Sequence, residues 1–225
     1  MITGNIKNFL LFTFIIVIHE LGHVSFACIL KWKINKVVLL PFGAITIFNE
    51  KINRPLKEEF IILIMGPIFQ ILGTLLLLNT KNALEYSKII LFFNLLPIYP
   101  LDGSKLVNIL LNIWLSFKKS HLITIYISLL LIGFIMFKVR FNLLLVLIFL
   151  FIITNLIKEI KNHQNIFNKF LLERYLYSFN FKKRKMIKKP ENMKRDYTHI
   201  FKTKKSCKTE KEILKEMFDF PRKMW

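Results

Sequence analysis

The chain has 225 residues, of which 54% are apolar and 23 are phenylalanine, yet its formal net charge is +20. Soluble domains rarely combine these properties, and here they occupy different regions: residues 9–157 consist of long apolar runs, whereas residues 158–225 hold 20 of the 34 lysines and arginines against 8 acidic residues. This division argues against a soluble domain, and because no nucleic-acid recognition motif accompanies the charge, it predicts the lipid bilayer rather than nucleic acid as the partner of the basic region.

The first two apolar runs predict different structures. Phe9–Leu30 is long enough to cross the hydrocarbon core as a helix of about 33 Å. It lacks a small-residue cleavage site after the apolar stretch, so we expect a retained span rather than a signal peptide. Val37–Phe48 is too short to cross as a helix, is interrupted by Pro41 and Gly43, and has β-branched residues on both sides. We expect this run to form a β-hairpin that dips into the membrane.

The later apolar segments predict four further spans, which are Phe60–Asn79, Tyr86–Phe117, Leu122–Phe137 and Phe141–Ile157. The second of these contains Pro97 and Pro100, each of which removes a backbone donor, so the break needs protein or a wet cavity around it. Residues 138–140 are expected to turn the last two spans into a hairpin. The predicted fold is therefore an all-α polytopic membrane protein with about five transmembrane helices.

Charge predicts how the chain is oriented and divided. The loop from residue 31 to residue 59 holds six basic residues, and Lys118 and Lys119 lie in another loop on the same side as the basic tail. Because short basic loops stay in the cytoplasm, we expect an external N-terminus and a cytoplasmic C-terminus. Residues 1–157 would form the membrane-embedded domain and residues 158–225 a small cytoplasmic region, in which Lys182–Lys189 is expected to be disordered or lipid-bound.

The first predicted span contains the sequence HELGH at residues 19–23. The four-residue spacing of His19 and His23 places both imidazoles on one helix face, so that both can reach one metal ion. Glu20 is offset from that face but near enough to accept a proton from water at the metal. A chance match is the alternative, although three ionisable side chains this close together in a membrane span would cost on the order of several kcal/mol without a ligand or partner.

Asp102 is the candidate for the third ligand that a catalytic zinc site usually has. It is the only other acidic residue deep in an apolar span, and it lies in NLLPIYPLDG, Asn94–Gly103, where two prolines break the helix. The competing interpretation is that Asp102 only caps the helix that follows. The incomplete pair of histidines favours ligation, and two imidazoles with one carboxylate suit zinc better than copper(I) or an iron–sulfur cluster. His121, His163 and His199 are instead expected to be solvated surface histidines.

HELGH in one membrane helix and LDG in a later one resemble the site-2 protease family of intramembrane metalloproteases, peptidase family M50. The likeness extends from about Phe9 to Tyr175, and within that family the sequence is similar to the sporulation branch. It is carried further by LLPFG at residues 39–43, RPLKEEF at 54–60, Gly66-Pro67, NLLPIYPLDG at 94–103 and FLLERY at 170–175.

The resemblance implies a zinc metalloendopeptidase with one Zn²⁺ per chain. The implied ligands are His19, His23 and Asp102, and the implied catalytic base is Glu20. It also implies a substrate precursor of the pro-sigma-K type, regulatory membrane proteins of the sporulation complex as partners, and a multi-pass location in the bacterial mother-cell membrane around the forespore. Relatives carry a C-terminal CBS-like regulatory domain, of which residues 158–225 would hold only a part. A homo-oligomer is left open.

The implied substrate-binding positions are Gly43 in the hairpin, Asn94 and Pro97. For Asn94 a second interpretation stays equally open, in which it hydrogen-bonds backbone groups that Pro97 leaves without partners. Two other functions compete with proteolysis. A non-catalytic zinc-containing scaffold would tolerate Glu20→Gln, and a metal transporter would need histidines spread over several spans, which this sequence lacks.

Overall fold

The computed structural model describes residues 6–40, 43–48, 50–77, 82–138, 143–177, 179, 181–203 and 206–219. The elements in chain order are α1 (Ile6–Ile29), β1 (Ile34–Leu40), β2 (Gly43–Phe48), α2 (Leu56–Leu76), α3 (Ala83–Leu95), α4 (Asp102–Trp114), α5 (Phe117–Lys138), α6 (Leu143–Leu176), β3 (Lys183–Ile187), β4 (Tyr197–Lys202), β5 (Cys207–Thr209) and α7 (Glu210–Phe218). The mostly helical fold predicted from the sequence is confirmed.

Three helices of the described residues are long and apolar enough to cross a membrane, namely α1, α2 and α5. The number of five spans therefore stays a prediction. The segment expected to be the third span is divided by its prolines, so that α3 ends at Leu95 and α4 begins at Asp102. The last expected span, Phe141–Ile157, corresponds to part of α6, which continues to Leu176. Val139 and Arg140 of the expected turn lie outside the described residues.

The chain divides into two compact units, one of Met1–Glu50 with Lys57–Leu106 and the other of Lys51–Leu56 with Val107–Trp225. The boundary expected after residue 157 lies within α6, which runs through that position as one helix. Where the membrane-embedded part gives way to the cytoplasmic region stays a prediction.

In the first unit, α1 packs closely against the backbone of α2. A β-carbon on Gly22 would lie 2.3 Å from the carbonyl oxygen of Met65, so only glycine permits this approach. Farther along α1, Ile15 and Ile16 form a buried cluster with Ile90 of α3. The two strands pair antiparallel, with Leu40 opposite Gly43, while Pro41 lies outside the described residues. That the strands form a hairpin which dips into the membrane stays a prediction.

In the second unit, the described part of the basic C-terminal region is folded. Strand β3 pairs parallel with β4, which pairs antiparallel with β5, and Thr209 caps α7 in a capping box with Glu212. The expectation of disorder at Lys182–Lys189 is wrong for β3, because Ile187 is buried in an apolar core with Phe170 and Phe201, whereas the expected lipid binding stays a prediction. The remaining buried members of this core are Phe117, Phe167, Leu171, Met193 and Leu214.

Candidate metal centre

Four predicted site residues lie together in the first unit. Helix α1 contributes His19, Glu20 and His23, which are all buried although they are ionisable. Asp102 is the first residue of α4, and its Oδ2 atom lies 3.2 Å from His19 Nε2 and 3.0 Å from His23 Nε2. The two Nε2 atoms are 3.1 Å apart. Two histidines and one carboxylate from distant parts of the sequence thus converge on one point.

The hydrogen bonds of Gln70 determine which nitrogen of His19 carries the proton. The Gln70 amide nitrogen donates to the backbone carbonyl of Ser87 at 2.7 Å, and a carbonyl can only accept. The amide oxygen must therefore face His19 Nδ1, which lies 2.8 Å away. Since that oxygen accepts, Nδ1 bears the hydrogen, and Nε2 of the neutral ring presents a lone pair.

His23 has the same tautomer for a simpler reason. Its Nδ1 atom lies 2.8 Å from the backbone carbonyl oxygen of Ile62, which cannot donate. The proton is therefore on Nδ1, and the Nε2 lone pair of His23 also points toward Asp102. This use of one ring nitrogen to anchor the imidazole is the usual arrangement of a metal-binding histidine.

These three converging acceptors fit a metal ion. Without a metal ion, only lone pairs of His19 Nε2, His23 Nε2 and Asp102 Oδ2 would face one another, at distances of 3.0 to 3.2 Å. A single added proton would form one hydrogen bond among these atoms but would leave another pair of acceptors facing each other. Zinc with bond lengths of about 2.0–2.2 Å in a tetrahedral site separates its ligand atoms by roughly 3.3–3.6 Å. The observed triangle is only slightly smaller, so His19, His23 and Asp102 can accommodate zinc with a small outward movement.

The two carboxylates of the site, Asp102 and Glu20, have different surroundings. Lys105 Nζ donates to Oδ1 of Asp102 at 2.8 Å, which leaves the Oδ2 lone pairs facing the two imidazoles without a donor among the described residues. Among the described residues, no backbone N–H group donates to this carboxylate, so the capping interpretation has no hydrogen bond to support it. Ligand atoms of His19, Glu20 and His23 all lie within 4.8 Å of one another, which is near enough for Glu20 to exchange a proton with water at the centre.

Two glycines make the site compact. A β-carbon on Gly66 of α2 would lie 2.3 Å from His23 Nε2, and one on Gly103 would lie 2.1 Å from the carbonyl oxygen of Leu95. Gly66 thus leaves room for the His23 ring, and Gly103 allows α4 to begin close to the end of α3. That close approach follows the proline break and brings Asp102 to the histidines.

The predicted substrate-binding residues lie nearby in the chain but have no assigned role. Asn94 is half-buried in the last turn of α3, Pro97 is in the connection to α4, and Gly43 is the first residue of β2. Their binding of substrate stays a prediction.

Sequence reasoning missed the residues that support the predicted ligands, namely Gln70, Ser87 and Lys105. The available signal was a four-residue spacing on α2, since Ile62, Gly66 and Gln70 recur at i, i+4 and i+8 and therefore share one face. A lone glutamine in an apolar helix also indicates a polar partner within the protein. One further expectation is wrong, because His199 is only 1% exposed and lies in a hydrogen-bonded network of the second unit.

Comparison with known proteins gives the family. The model of peptidase family M50 matches residues 8–86, which include the HELGH sequence and α2. The chain is 38% identical over 191 residues to stage IV sporulation protein FB of Bacillus subtilis, covering 78% of this chain and 66% of the relative. It is 32% identical over 160 residues to a zinc metalloprotease of Methanocaldococcus jannaschii, covering 64% of this chain and 46% of that protein.

The fold agrees with these sequence matches. The solved structure of the site-2 protease from Methanocaldococcus jannaschii superimposes with a TM-score of 0.55 at 27% identity, covering 70% of this chain and 81% of that one. The chain spans about two thirds of the sporulation relative and less than half of the archaeal one. From these matches, the chain belongs to peptidase family M50, a family of membrane metalloproteases.

Proposed function

We propose that this chain is an intramembrane zinc metalloprotease that hydrolyses a peptide bond of a membrane-associated precursor. The observation that carries the proposal is the convergence of the His19 and His23 lone pairs on Oδ2 of Asp102, at 3.0 to 3.2 Å, beside the buried Glu20. A metal centre with a neighbouring carboxylate base is what peptide hydrolysis by a metalloprotease requires.

Each site residue has one role in this mechanism. His19, His23 and Asp102 hold one zinc ion per chain, and when bound, zinc supplies the Lewis acidity that activates water and polarises the peptide carbonyl. Glu20 accepts the proton of the attacking water and returns it to the amine nitrogen that leaves. The peptide bond is thus broken without a covalent bond between substrate and protein.

For the substrate we propose a pro-sigma factor, of the pro-sigma-K type, that is processed during sporulation. The support is the 38% identity to a sporulation protein over most of this chain. Regulatory membrane proteins of the sporulation complex would be its partners in the mother-cell membrane around the forespore. An extended substrate could add to an edge of the β1–β2 sheet near Gly43, with Asn94 and Pro97 at the break between α3 and α4 completing the binding site.

Glu20→Gln tests the catalytic proposal directly. The wild type and Glu20→Gln would each be co-expressed with candidate precursors. Cleavage of the precursor and zinc content of the purified chain would be measured together. We expect cleavage to disappear in Glu20→Gln while zinc remains, because glutamine leaves the three ligands intact but cannot accept the proton. Equal cleavage by the wild type and Glu20→Gln would refute the protease. Zinc without cleavage in the wild type would favour the alternative of a zinc-containing scaffold.

The proposed arrangement in the membrane has its own test. A multi-pass chain with a cytoplasmic C-terminus follows from the basic residues of 158–225, in which a partial CBS-like regulatory domain would lie. A reporter that is active only in the cytoplasm and is fused after Trp225 should be active. Activity of the matching external reporter would overturn this orientation.

A further inference from the structure

We propose that Gln70 is a positioning residue that fixes the protonation of His19 and so sets the zinc affinity of the site; this inference rests on the proposed function. Gln70 lies on α2, is completely buried (0% exposed) and accepts a hydrogen bond from His19 Nδ1 at 2.8 Å. It touches no predicted ligand other than His19 among the described contacts, and it would not itself bind the metal.

The hydrogen bonds of Gln70 leave it one orientation. Its amide nitrogen has two hydrogens, and the partners are the Ser87 carbonyl oxygen at 2.7 Å and the Ser87 hydroxyl oxygen at 3.0 Å. Rotating the amide by 180° would oppose its oxygen to the Ser87 carbonyl, so α3 holds the amide oxygen toward His19. The hydroxyl of Thr74, one helical turn farther along α2, lies 2.8 Å from the Ser87 hydroxyl and steadies it.

This arrangement matters because a neutral imidazole can carry its proton on either nitrogen. Only the tautomer with the proton on Nδ1 leaves a lone pair at Nε2 for a metal. An acceptor at residue 70 stabilises that tautomer, whereas an apolar side chain would leave Nδ1–H buried without a partner. His19 would then lose its preference for the metal-binding form and the restraint on its ring orientation.

His19 and His23 differ in whether a substitution can remove the group that accepts the hydrogen bond from Nδ1. His23 is anchored by the backbone carbonyl of Ile62, which no side-chain substitution removes. His19 is anchored by a side chain, so residue 70 is the place where the chemistry of the anchor can be changed. Partners of this kind typically alter metal affinity by about 10–100-fold.

The experiment measures zinc affinity of the full-length chain in detergent by competition with a chromophoric chelator. Three substitutions are compared with the wild type: Gln70→Met, which is close in length but does not replace the amide acceptor; Gln70→Leu, as a second removal in case the first does not fold; and Gln70→Glu, which restores an acceptor for His19 and, as a neutral carboxylic acid, a donor to the Ser87 carbonyl. Thr74→Val is the matched control, because it alters the same buried network without touching His19.

We expect zinc to bind about 10–100-fold more weakly to Gln70→Met and Gln70→Leu, with Gln70→Glu and Thr74→Val within about threefold of the wild type. A role in packing alone predicts the opposite order, because methionine and leucine fill the space with apolar atoms whereas glutamate buries a polar, ionisable group. Unchanged affinity in all variants, or weaker binding by Gln70→Glu than by Gln70→Met, would overturn this inference alone. A wild-type chain that binds no zinc would overturn the proposed function as well.

Discussion

Gly66 and His23 lie so close together that the geometry of the candidate metal centre depends on the absence of a β-carbon at position 66. A β-carbon on Gly66 would be 2.3 Å from Nε2 and 2.4 Å from Cε1 of the His23 ring. Both contacts are far shorter than nonbonded atoms allow, and both involve a ring that is anchored at Ile62 and surrounded by α1 and α2. Glycine at position 66 is therefore a requirement of the site rather than of the helix.

Gly66→Ala should consequently abolish most of the activity. The new methyl group must displace either the His23 ring or the contact of α2 with α1, and a displacement of about 1 Å at a catalytic centre costs roughly 100-fold in rate. The measurement is precursor cleavage together with zinc content. Alanine favours helices over glycine by about 1 kcal/mol, so loss of activity with no loss of thermal stability would be the clearest result.

Gly133→Ala is the control for this substitution. Gly133 lies in α5, and nothing among the described atoms lies within 4 Å of a β-carbon placed there. The variant should cleave and bind zinc like the wild type. If Gly66→Ala behaved like Gly133→Ala in both assays, the bound position of His23 would differ from the one described above.

Lys105 gives a second prediction, which separates the metal-free chain from the zinc-loaded one. Its ammonium group donates to Asp102, whose side chain is only 12% exposed. In Lys105→Met the carboxylate of the metal-free chain loses this partner, whereas zinc supplies a positive charge in the loaded chain. Because the Lys105 side chain is 34% exposed, solvent screens its interaction with Asp102. We therefore expect Lys105→Met to lower the free energy of unfolding of the metal-free chain by about 1–2 kcal/mol.

Thermal unfolding with and without zinc checks this prediction. Lys105→Met should lower the unfolding temperature of the metal-free chain more than that of the loaded chain, so zinc should raise the variant's unfolding temperature by the larger amount. An equal decrease in both states would mean that Asp102 does not depend on Lys105 for its charge balance.

The proposed ligands could be predicted from the sequence because their signals are local. Histidines four residues apart on a helix share a face whatever surrounds them, and Asp102 was recognisable as a lone acidic residue after a proline break. Gln70 and Gly66 were not predicted, because their importance depends on which face of α2 meets α1. Membrane helices are apolar on all sides, so hydrophobic periodicity does not reveal that face.

The second unit shows why composition misled at β3. Four successive exposed residues, Lys182–Lys185, give the segment a solvated appearance, and the charge density there is typical of disorder. Ile187 is nevertheless buried against Phe170 and Phe201, and the strand pairs with β4. A single apolar anchor whose partners are many residues away cannot be recognised from the local pattern. The same limit applies to His199, which is buried through contacts made by distant residues.

Arg174 carries a third prediction, concerning the stability of the second unit. Its guanidinium group donates to Asn53 Oδ1 at 2.6 Å, to the backbone oxygen of Tyr197 at 2.6 Å and to that of Lys194 at 2.9 Å. It also forms an ion pair with Glu210 at 3.1 Å. Arg174 thus joins α6 to the segment before α2 and to the C-terminal strands. Removing it leaves several buried polar groups without partners.

Arg174→Met should therefore lower the free energy of unfolding of this unit by about 3–5 kcal/mol. Arg174→Lys should not restore it, because an ammonium group cannot reproduce the fork of donors. Lys208→Met is the control, since its ion pair with Glu216 is exposed and should contribute less than about 1 kcal/mol. Limited proteolysis of the C-terminal strands provides the measurement. If Arg174→Met resisted the protease as well as Lys208→Met does, a stabilising role for Arg174 would be contradicted.

The fourth prediction is that acid weakens the C-terminal strands through His199. Burial lowers the pKa of His199 below its ordinary value of 6.5, and the hydrogen bond to Glu210 opposes this only in part. The backbone N–H of Lys194 donates to Nε2 at 3.0 Å, so Nδ1 carries the proton and faces Glu210 Oε2 at 3.3 Å. A second proton on the ring would oppose the Lys194 N–H. Since the folded state favours the neutral ring, this stabilisation is complete above pH 6.5 and is lost as the pH falls through the lowered pKa.

Glu210 adds a second pH range, at lower pH, in which the C-terminal strands lose stability. Burial alone would raise its pKa, but the hydrogen bond from His199 and the charge of Arg174 outweigh that effect and lower it below 4.5. Its contribution is therefore present above pH 4.5 and is lost below it. The pKa of His163 on α6 is also lowered by burial, so an overall unfolding curve would combine the effect of His199 with those of other groups. Hydrogen exchange of the β4 amides reports on His199 more locally.

His199→Gln separates these contributions. A glutamine oxygen can still accept from the Lys194 N–H but does not titrate, so the protection of the β4 amides should stay constant between pH 7 and pH 5, where the wild type should lose protection. The expected difference is up to about 1.4 kcal/mol for each pH unit over which His199 is neutral in the folded chain and protonated in the unfolded one. Parallel pH profiles in the wild type and the variant would show that another group controls the acid response of these strands.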